Sequence, residues 1–313
     1  MKIGPPKKTE LSITNELQTY LHAATSNNTR KAYQQDIRHF MSEGGLLPAT
    51  TCNLLTYLQQ QASRLKPQTL KRRLTAIKHW HTYQGFPDPT SHPIIRKALS
   101  GIARVHGKPT VKAAALSLDQ LRKISEYLKH NESLSNVRNR ALILIGFFAA
   151  LRRSELVGLC WEHIHFEEQG VTITIPRSKT DQEGEGQNVA IPYGKTELCP
   201  VKALQQWQNI SKRDSGAIFC AINKHQRMQS KSLTALSVNH ILKKLAHETQ
   251  LPNPQTYSGH SLRRGFATTA SQNGVSMIAI MRQGRWRHEG TVYGYIEEGQ
   301  RFVDNAASYL LQK

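Results

Sequence analysis

One stretch of the chain, "ALILIGFFAAL" at 141–151, has no polar face at all. A helix that is apolar all round has to be enclosed on every side. This run is too short to cross a bilayer and arginines bound it, so it reads as a helix buried at the centre of a folded core. The remaining segments must supply the layers that cover it. A length of 313 residues leaves room for two domains.

Charge narrows the partners. Lys and Arg number 42 against 22 Asp and Glu, a formal net charge of +20. Such an excess fits a polyanion, with nucleic acid ahead of an anionic membrane surface, and no membrane partner is expected. The opening "MKIGPPKKTELS" has lysines but no apolar run behind them, which predicts no secretory signal. Cys52, Cys160, Cys199 and Cys220 show no paired spacing, which points to a reducing, cytoplasmic setting and to no zinc site. Neither a metal nor another cofactor is expected.

The pattern along the chain predicts a mainly α protein. Residues 10–98 read as a small helical domain: "ITNELQTYLHAA" near 13–24, "TRKAYQQDIRHFM" with Tyr33, Ile37 and Phe40 at helical spacing, "TCNLLTYLQQQA" at 51–62, and "TLKRRLTAIKHWHTY" with Leu70, Leu74, Ile77 and Trp80 on one side. Residues 1–110 hold 16 Lys and Arg against 5 Asp and Glu, which favours a DNA-facing surface. Lys71, Arg72 and Lys78, on the last of these patterns, are the candidate DNA contacts.

Residues 99–116, in "SGIARVHGKPTVKAAALS", read as a linker, and Ser117 with Gln120 as a capping box that opens a second domain over 117–313. That domain is expected to be mixed α+β, with helices at 118–129, 137–150, 201–209, 237–248, 261–271 and 275–282. One small antiparallel sheet is expected from "VTITIP" at 171–176 and "NVAIP" at 188–192, joined by the polar "RSKTDQEGEGQ". In the tail, Phe302, Val303, Ala306, Tyr309 and Leu310 fall at spacings compatible with an apolar helical stripe.

The chemistry concentrates late in the chain. "GRWRHEGTVYGYIEEG", 284–299, holds Tyr293 and Tyr295 just after Trp286. A tyrosine hydroxyl titrates at about 10, so its use as a nucleophile at neutral pH needs a proton acceptor and nearby positive charge. A phosphodiester suits that combination, because guanidinium forks can clamp its nonbridging oxygens as charge builds on phosphorus. Two segments supply candidates. "FFAALRRSELVGL" carries Arg152 with Glu155 three residues on, and "YSGHSLRRGFATTA" carries His260 and Arg263 on one side of a helix's opening turn. Taken singly, each has an ordinary explanation: arginines satisfy the carbonyls at a helix end, a glutamate caps, and a tryptophan packs. Lys179, in the hairpin connection, is a flexible ammonium able to protonate a departing oxygen.

These pieces, in this order, resemble the tyrosine recombinase family, also called phage integrases. "ALRRSE" is similar to its first box, with Arg152 as the first catalytic arginine and Glu155 as the associated acidic residue. "RSKT" supplies the hairpin lysine Lys179, and "HSLRR" matches the second box, giving His260 and Arg263. The resemblance makes Trp286 a phosphate contact, at a position where many members carry histidine, and chooses Tyr295 over Tyr293 as nucleophile. It implies a helical core-binding domain at 10–98 and a catalytic domain at 117–313 with a C-terminal assembly helix. The implied activity is site-specific recombination through a 3′-phosphotyrosyl intermediate, without metal or ATP. The implied partners are double-stranded DNA with inverted-repeat sites and a homotetramer on two DNA duplexes. The competing expectations are relaxation of the type IB topoisomerase kind, which reseals the original strand, and DNA binding without catalysis.

Overall fold

The computed structural model describes residue 20 and residues 24–109, 111–176, 186–195, 197–300 and 306–311. The helix expected near 13–24 and Lys179 lie outside the described residues. The chain divides into two compact units, Met1–Thr110 and Val111–Lys313.

In the first unit, α1 (Asn27–Ser42) opens where the Ser26 hydroxyl accepts the Thr29 N–H. A Thr50–Asn53 capping box opens α2 (Thr51–Gln61), and Pro67 stands in the first turn of α3 (Pro67–Gln84). Phe40, Leu54, Tyr57, Leu58, Leu70 and Ile77 form the core between them. A fourth helix, α4 (Pro93–His106), was not expected. It runs through the first part of the predicted linker, where Gly101 and scattered charges obscure its apolar side. Ile95 is nonetheless fully buried, and Ala98, Leu99 and Ile102 pack on the same core.

That core also holds a polar knot. Asp36 is buried and accepts both edges of the Arg72 guanidinium, Nε at 2.8 Å and Nη2 at 2.7 Å. Arg73 lies 3.4 Å from the same carboxylate and donates to the Tyr57 hydroxyl at 2.7 Å. The buried His81 accepts the Ala49 N–H on Nε2, so its Nδ1 carries the proton given to the Ile77 carbonyl.

The second unit is built around α6 (Leu134–Phe148), the helix that contains most of the all-apolar run, with Ala141 to Ile145 each buried. Around it pack α5 (Leu118–His130), opened by the Ser117–Gln120 capping box, α8 (Pro200–Ser211) and α10 (Gly259–Gln272). The run does not stay helical to its end: Ala149 closes the helix and Ala150 turns left-handed at φ 46°. The short α7 (Arg153–Val157) follows at once.

Among the described residues two sheets are present where one was expected. Strands β1 (Ile164–Glu167), β2 (Gly170–Ile175) and β3 (Gln187–Pro192) form an antiparallel sheet in chain order, with Val171 opposite Ile191 and Ile173 opposite Val189. A second antiparallel pair joins β4 (Cys220–Ile222) to β5 (Met228–Ser232). "IHFE" and "MQSKS" are too short and too polar to announce strands on their own. The remaining helices are α9 (Ala235–Glu248), α11 (Met277–Gly284), α12 (Glu289–Gln300) and α13 (Ala306–Leu311).

Residues 111–116, expected within the linker, form an extended strap on the second unit. The Ala114 N–H donates to the Thr256 carbonyl at 3.2 Å and the Leu116 N–H to the Ser261 carbonyl at 3.1 Å. The Leu116 side chain is completely buried. Gly265 lets the strap approach: a Cβ there would stand 2.0 Å from the Leu116 carbonyl oxygen.

Candidate active site

Each expected box arrives by a local rule. Arg152 is the residue before α7, and Glu155 reaches back so that one oxygen accepts the Arg152 N–H at 2.9 Å and the other accepts Arg152 Nη1 at 2.6 Å. A carboxylate at that place also faces the positive end of the helix. His260 and Arg263 occupy the opening turn of α10, which Ser258 caps. Arg263 is buried and donates Nη1 to the Ala150 carbonyl. Its guanidinium lies 4.0 Å from the centre of the Trp286 ring, a cation–π contact. Nη2 of Arg263 is buried with no hydrogen-bond partner among the described residues.

Tyr295 projects from α12 into this group. Its hydroxyl is 3.3 Å from His260 Nε2, and its ring meets Trp286 edge-on with centres 6.2 Å apart. Thr268 Oγ1 donates to the Tyr295 carbonyl at 3.1 Å, fixing the helix against α10. Tyr293 is 51% exposed. The geometry therefore gathers Arg152, Glu155, His260, Arg263, Trp286 and Tyr295.

The electrostatics favour an anion. Burial lowers the Arg263 pKa to about 9, helped by the like charges of Arg152 and Arg285 and opposed by Glu155 and Tyr295. It remains charged at neutral pH, and a phosphodiester beside it would offset the mutual repulsion. His260 has an open side toward solvent, yet the crowding of its other flank comes first in holding its pKa below the ordinary 6.5, followed by the charges of Arg263, Arg264, Arg153 and Arg152. A neutral imidazole is thus available to accept a proton from the tyrosine. For Glu155, burial pushes the pKa up, but Arg285 and the hydrogen bonds from Arg152 outweigh it, so the group stays ionised.

Two neighbours were missed in the sequence. Arg285 is buried between Glu155, at 2.9 Å from Nη2, and the carbonyls of Ala149 and Gln283. Arg264 donates to the Ala113 carbonyl of the strap and places its guanidinium 5.3 Å from the Tyr295 ring centre. Their adjacency to Trp286 and Arg263 was the only available signal. Among the N-terminal candidates, Lys71 is exposed and Lys78 lies 3.8 Å from Asp88. Arg72 pairs with Asp36 while its side chain stays 51% exposed. Among the described residues no group of three or more His, Cys, Asp or Glu could hold a metal ion, and no helix is long and apolar enough to cross a membrane.

The pattern of the Phage integrase family matches residues 114–300. The chain is 36% identical over 302 residues to an integrase/recombinase XerD homolog of Selenomonas ruminantium, covering 94% of this chain and 88% of that protein. It is 23% identical to the Cre recombinase of Escherichia phage P1, over 80% of this chain and 75% of that one. Its fold is similar to that of the XerH site-specific recombinase bound to a palindromic difH substrate, with a TM-score of 0.64 and 20% identity over 90% of this chain and 78% of that one.

Proposed function

The chain belongs to the phage integrase family and is a tyrosine site-specific recombinase acting on DNA, and we propose that Tyr295 is the residue with which it cuts and rejoins strands. The observation that carries this assignment is the 3.3 Å approach of the Tyr295 hydroxyl to His260 Nε2, beside Arg263 and Trp286. In the proposed step the Tyr295 oxygen bonds to phosphorus while the bond from phosphorus to the 5′ oxygen breaks. His260 takes the phenolic proton. Arg152 and Arg263 hold the nonbridging oxygens, Trp286 adds its indole N–H, and Lys179 gives a proton to the departing oxygen. Attack by a 5′-hydroxyl of the partner strand on the 3′-phosphotyrosyl bond runs the same step backward, and the bond energy is kept throughout.

Recombinase relatives favour strand exchange over resealing of the original strand and over binding without chemistry. Each protomer carries one such tyrosine, and exchange between two duplexes breaks four strands. A homotetramer on two duplexes with inverted-repeat sites matches that demand, because symmetric protomers need symmetric half-sites. The proposed setting is the cytoplasm.

The test uses nicked duplexes from a random-sequence pool, captured covalently by the wild-type protein. Y295F should bind the captured duplex and form no adduct, and peptide mapping of the wild-type adduct should find Tyr295. An adduct on Tyr293 would remove the assignment.

A further inference from the structure

We propose that Arg285 is a positioning residue for strand cleavage, tying Glu155, and through it Arg152, to the carbonyl turn that ends the buried central helix. The inference rests on the proposed reading in which Arg152 grips the scissile phosphate. Arg285 closes α11 in the left-handed conformation, at φ 55° and ψ 47°. Glycine is the ordinary occupant of such a position, because any Cβ is crowded there. The turn sends the Arg285 side chain inward, while Trp286 folds back against Gly284, where a Cβ would stand 1.7 Å from the indole.

The guanidinium divides its donors between two structures. Nη2 donates to Glu155 Oε2 at 2.9 Å, and Nη1 lies 3.3 Å from the Ala149 carbonyl and 3.2 Å from that of Gln283. Oε2 of Glu155 also accepts the Arg152 N–H, while Oε1 takes Arg152 Nη1. One carboxylate therefore sits between two guanidiniums, with both its side chain and that of Arg285 almost fully enclosed, at 2% and 5% exposure. Ala150, next along the same turn, receives Arg263. Arg285 thus fastens the first box to the turn that anchors the second, just ahead of Trp286.

The chemical consequence lies in the charge of Glu155. A carboxyl this buried would protonate readily if one of its cations were removed, and a neutral acid cannot hold the Arg152 fork as a carboxylate does. The charged groups set against it are Arg152 beside α7, Arg285 at the end of α11 and Arg263 on α10. Arg152 is pulled toward substrate by the proposed mechanism. Arg285 is not, because its hydrogen bonds point into the protein.

The experiment compares the full-length wild type with R285G and R285K. Glycine accepts the left-handed turn and removes the guanidinium, while lysine keeps a charge that cannot serve both anchors. The first readout is the ¹³C carboxyl titration of Glu155, assigned by its loss in E155Q. Its midpoint should rise by about one pH unit or more in R285G and less in R285K. The second readout is single-turnover cleavage of the covalently captured nicked duplex. The rate in R285G should fall by about 10–100-fold, with its acidic limb moved to higher pH and partial rescue by methylguanidinium.

An unchanged Glu155 titration in either folded variant overturns the proposal, as does wild-type cleavage with an unmoved acidic limb. If R285G does not fold, R285K carries both readouts. Should the wild type form no adduct at Tyr295, the assignment of the nucleophile fails by that result alone. The Glu155 titration still decides whether Arg285 controls the carboxylate.

Discussion

At the scale of single residues, two non-glycine positions beside the site adopt left-handed backbone, Ala150 and Arg285. Each conformation costs roughly 1–2 kcal/mol for an L-residue, so the surroundings must over-determine it. They do so with arginines: the Ala150 carbonyl takes Arg263 and the Ala149 carbonyl takes Arg285. Burial first, and then the charges of Arg263, Arg264, Arg153 and Arg152, set the behaviour of His260. With its pKa held below 6.5, the imidazole should remain a proton acceptor down to that value, and kcat/KM for cleavage should fall only at lower pH, as the ring protonates. Removing a positive neighbour by R264Q should raise that pKa and move the acidic limb toward 6.5, measured as the pH profile of single-turnover cleavage. An unmoved limb would show that Arg264 does not set the His260 charge. Arg152, His260, Arg263 and Tyr295 were legible in the sequence because their types and order match a known reaction. Arg285 was not, since the direction of its side chain depends on a left-handed turn that its own residue type disfavours.

At the scale of elements, helices with ordinary caps were easiest to foresee. Ser117 with Gln120 marks the start of α5, and the apolar run marks α6. What escaped were elements whose reason lies in packing across the chain. Helix α4 hides behind Gly101, and the strands β1, β4 and β5 are defined only by the partners they pair with. The strap over α10 belongs to the same class, for nothing in "VKAAAL" shows that Leu116 is enclosed. Since a Cβ at Gly265 would meet a backbone oxygen that cannot rotate away, G265A should destabilise the fold by about 1–3 kcal/mol. It should also slow cleavage, because the strap's carbonyl at Ala113 holds Arg264 near Tyr295. Urea unfolding together with adduct formation checks both effects, and wild-type values in both would show that the contact is slack.

At the scale of the whole molecule, the two units carry different burdens. The first has its own core and 16 basic against 5 acidic residues, and of these Arg73 is enclosed beside Asp36. The cations available for phosphate are the exposed ones, Lys71 and Arg72 among them. A fragment beginning at Val111 should bind duplex DNA more weakly than the full chain and with a smaller dependence on salt, because fewer counterions are released. Equal salt slopes in a titration from low to moderate ionic strength would deny the first unit a part in binding. At the other end, α13 exposes Leu310 and Leu311. Truncation after Gly299 should leave binding to one duplex nearly intact and reduce the joining of two, scored by gel mobility with paired sites.

The strap also bears on how such enzymes could be retargeted. A designer who grafts a foreign DNA-reading module onto this catalytic half has to choose a seam, and the sequence invites a cut at Ser117, where the capping box begins. That cut would discard Leu116, which is completely buried, and the Ala113 carbonyl to which Arg264 donates. A seam at 107–110 keeps both with the catalytic half, so the portable part is longer than its first capped helix suggests.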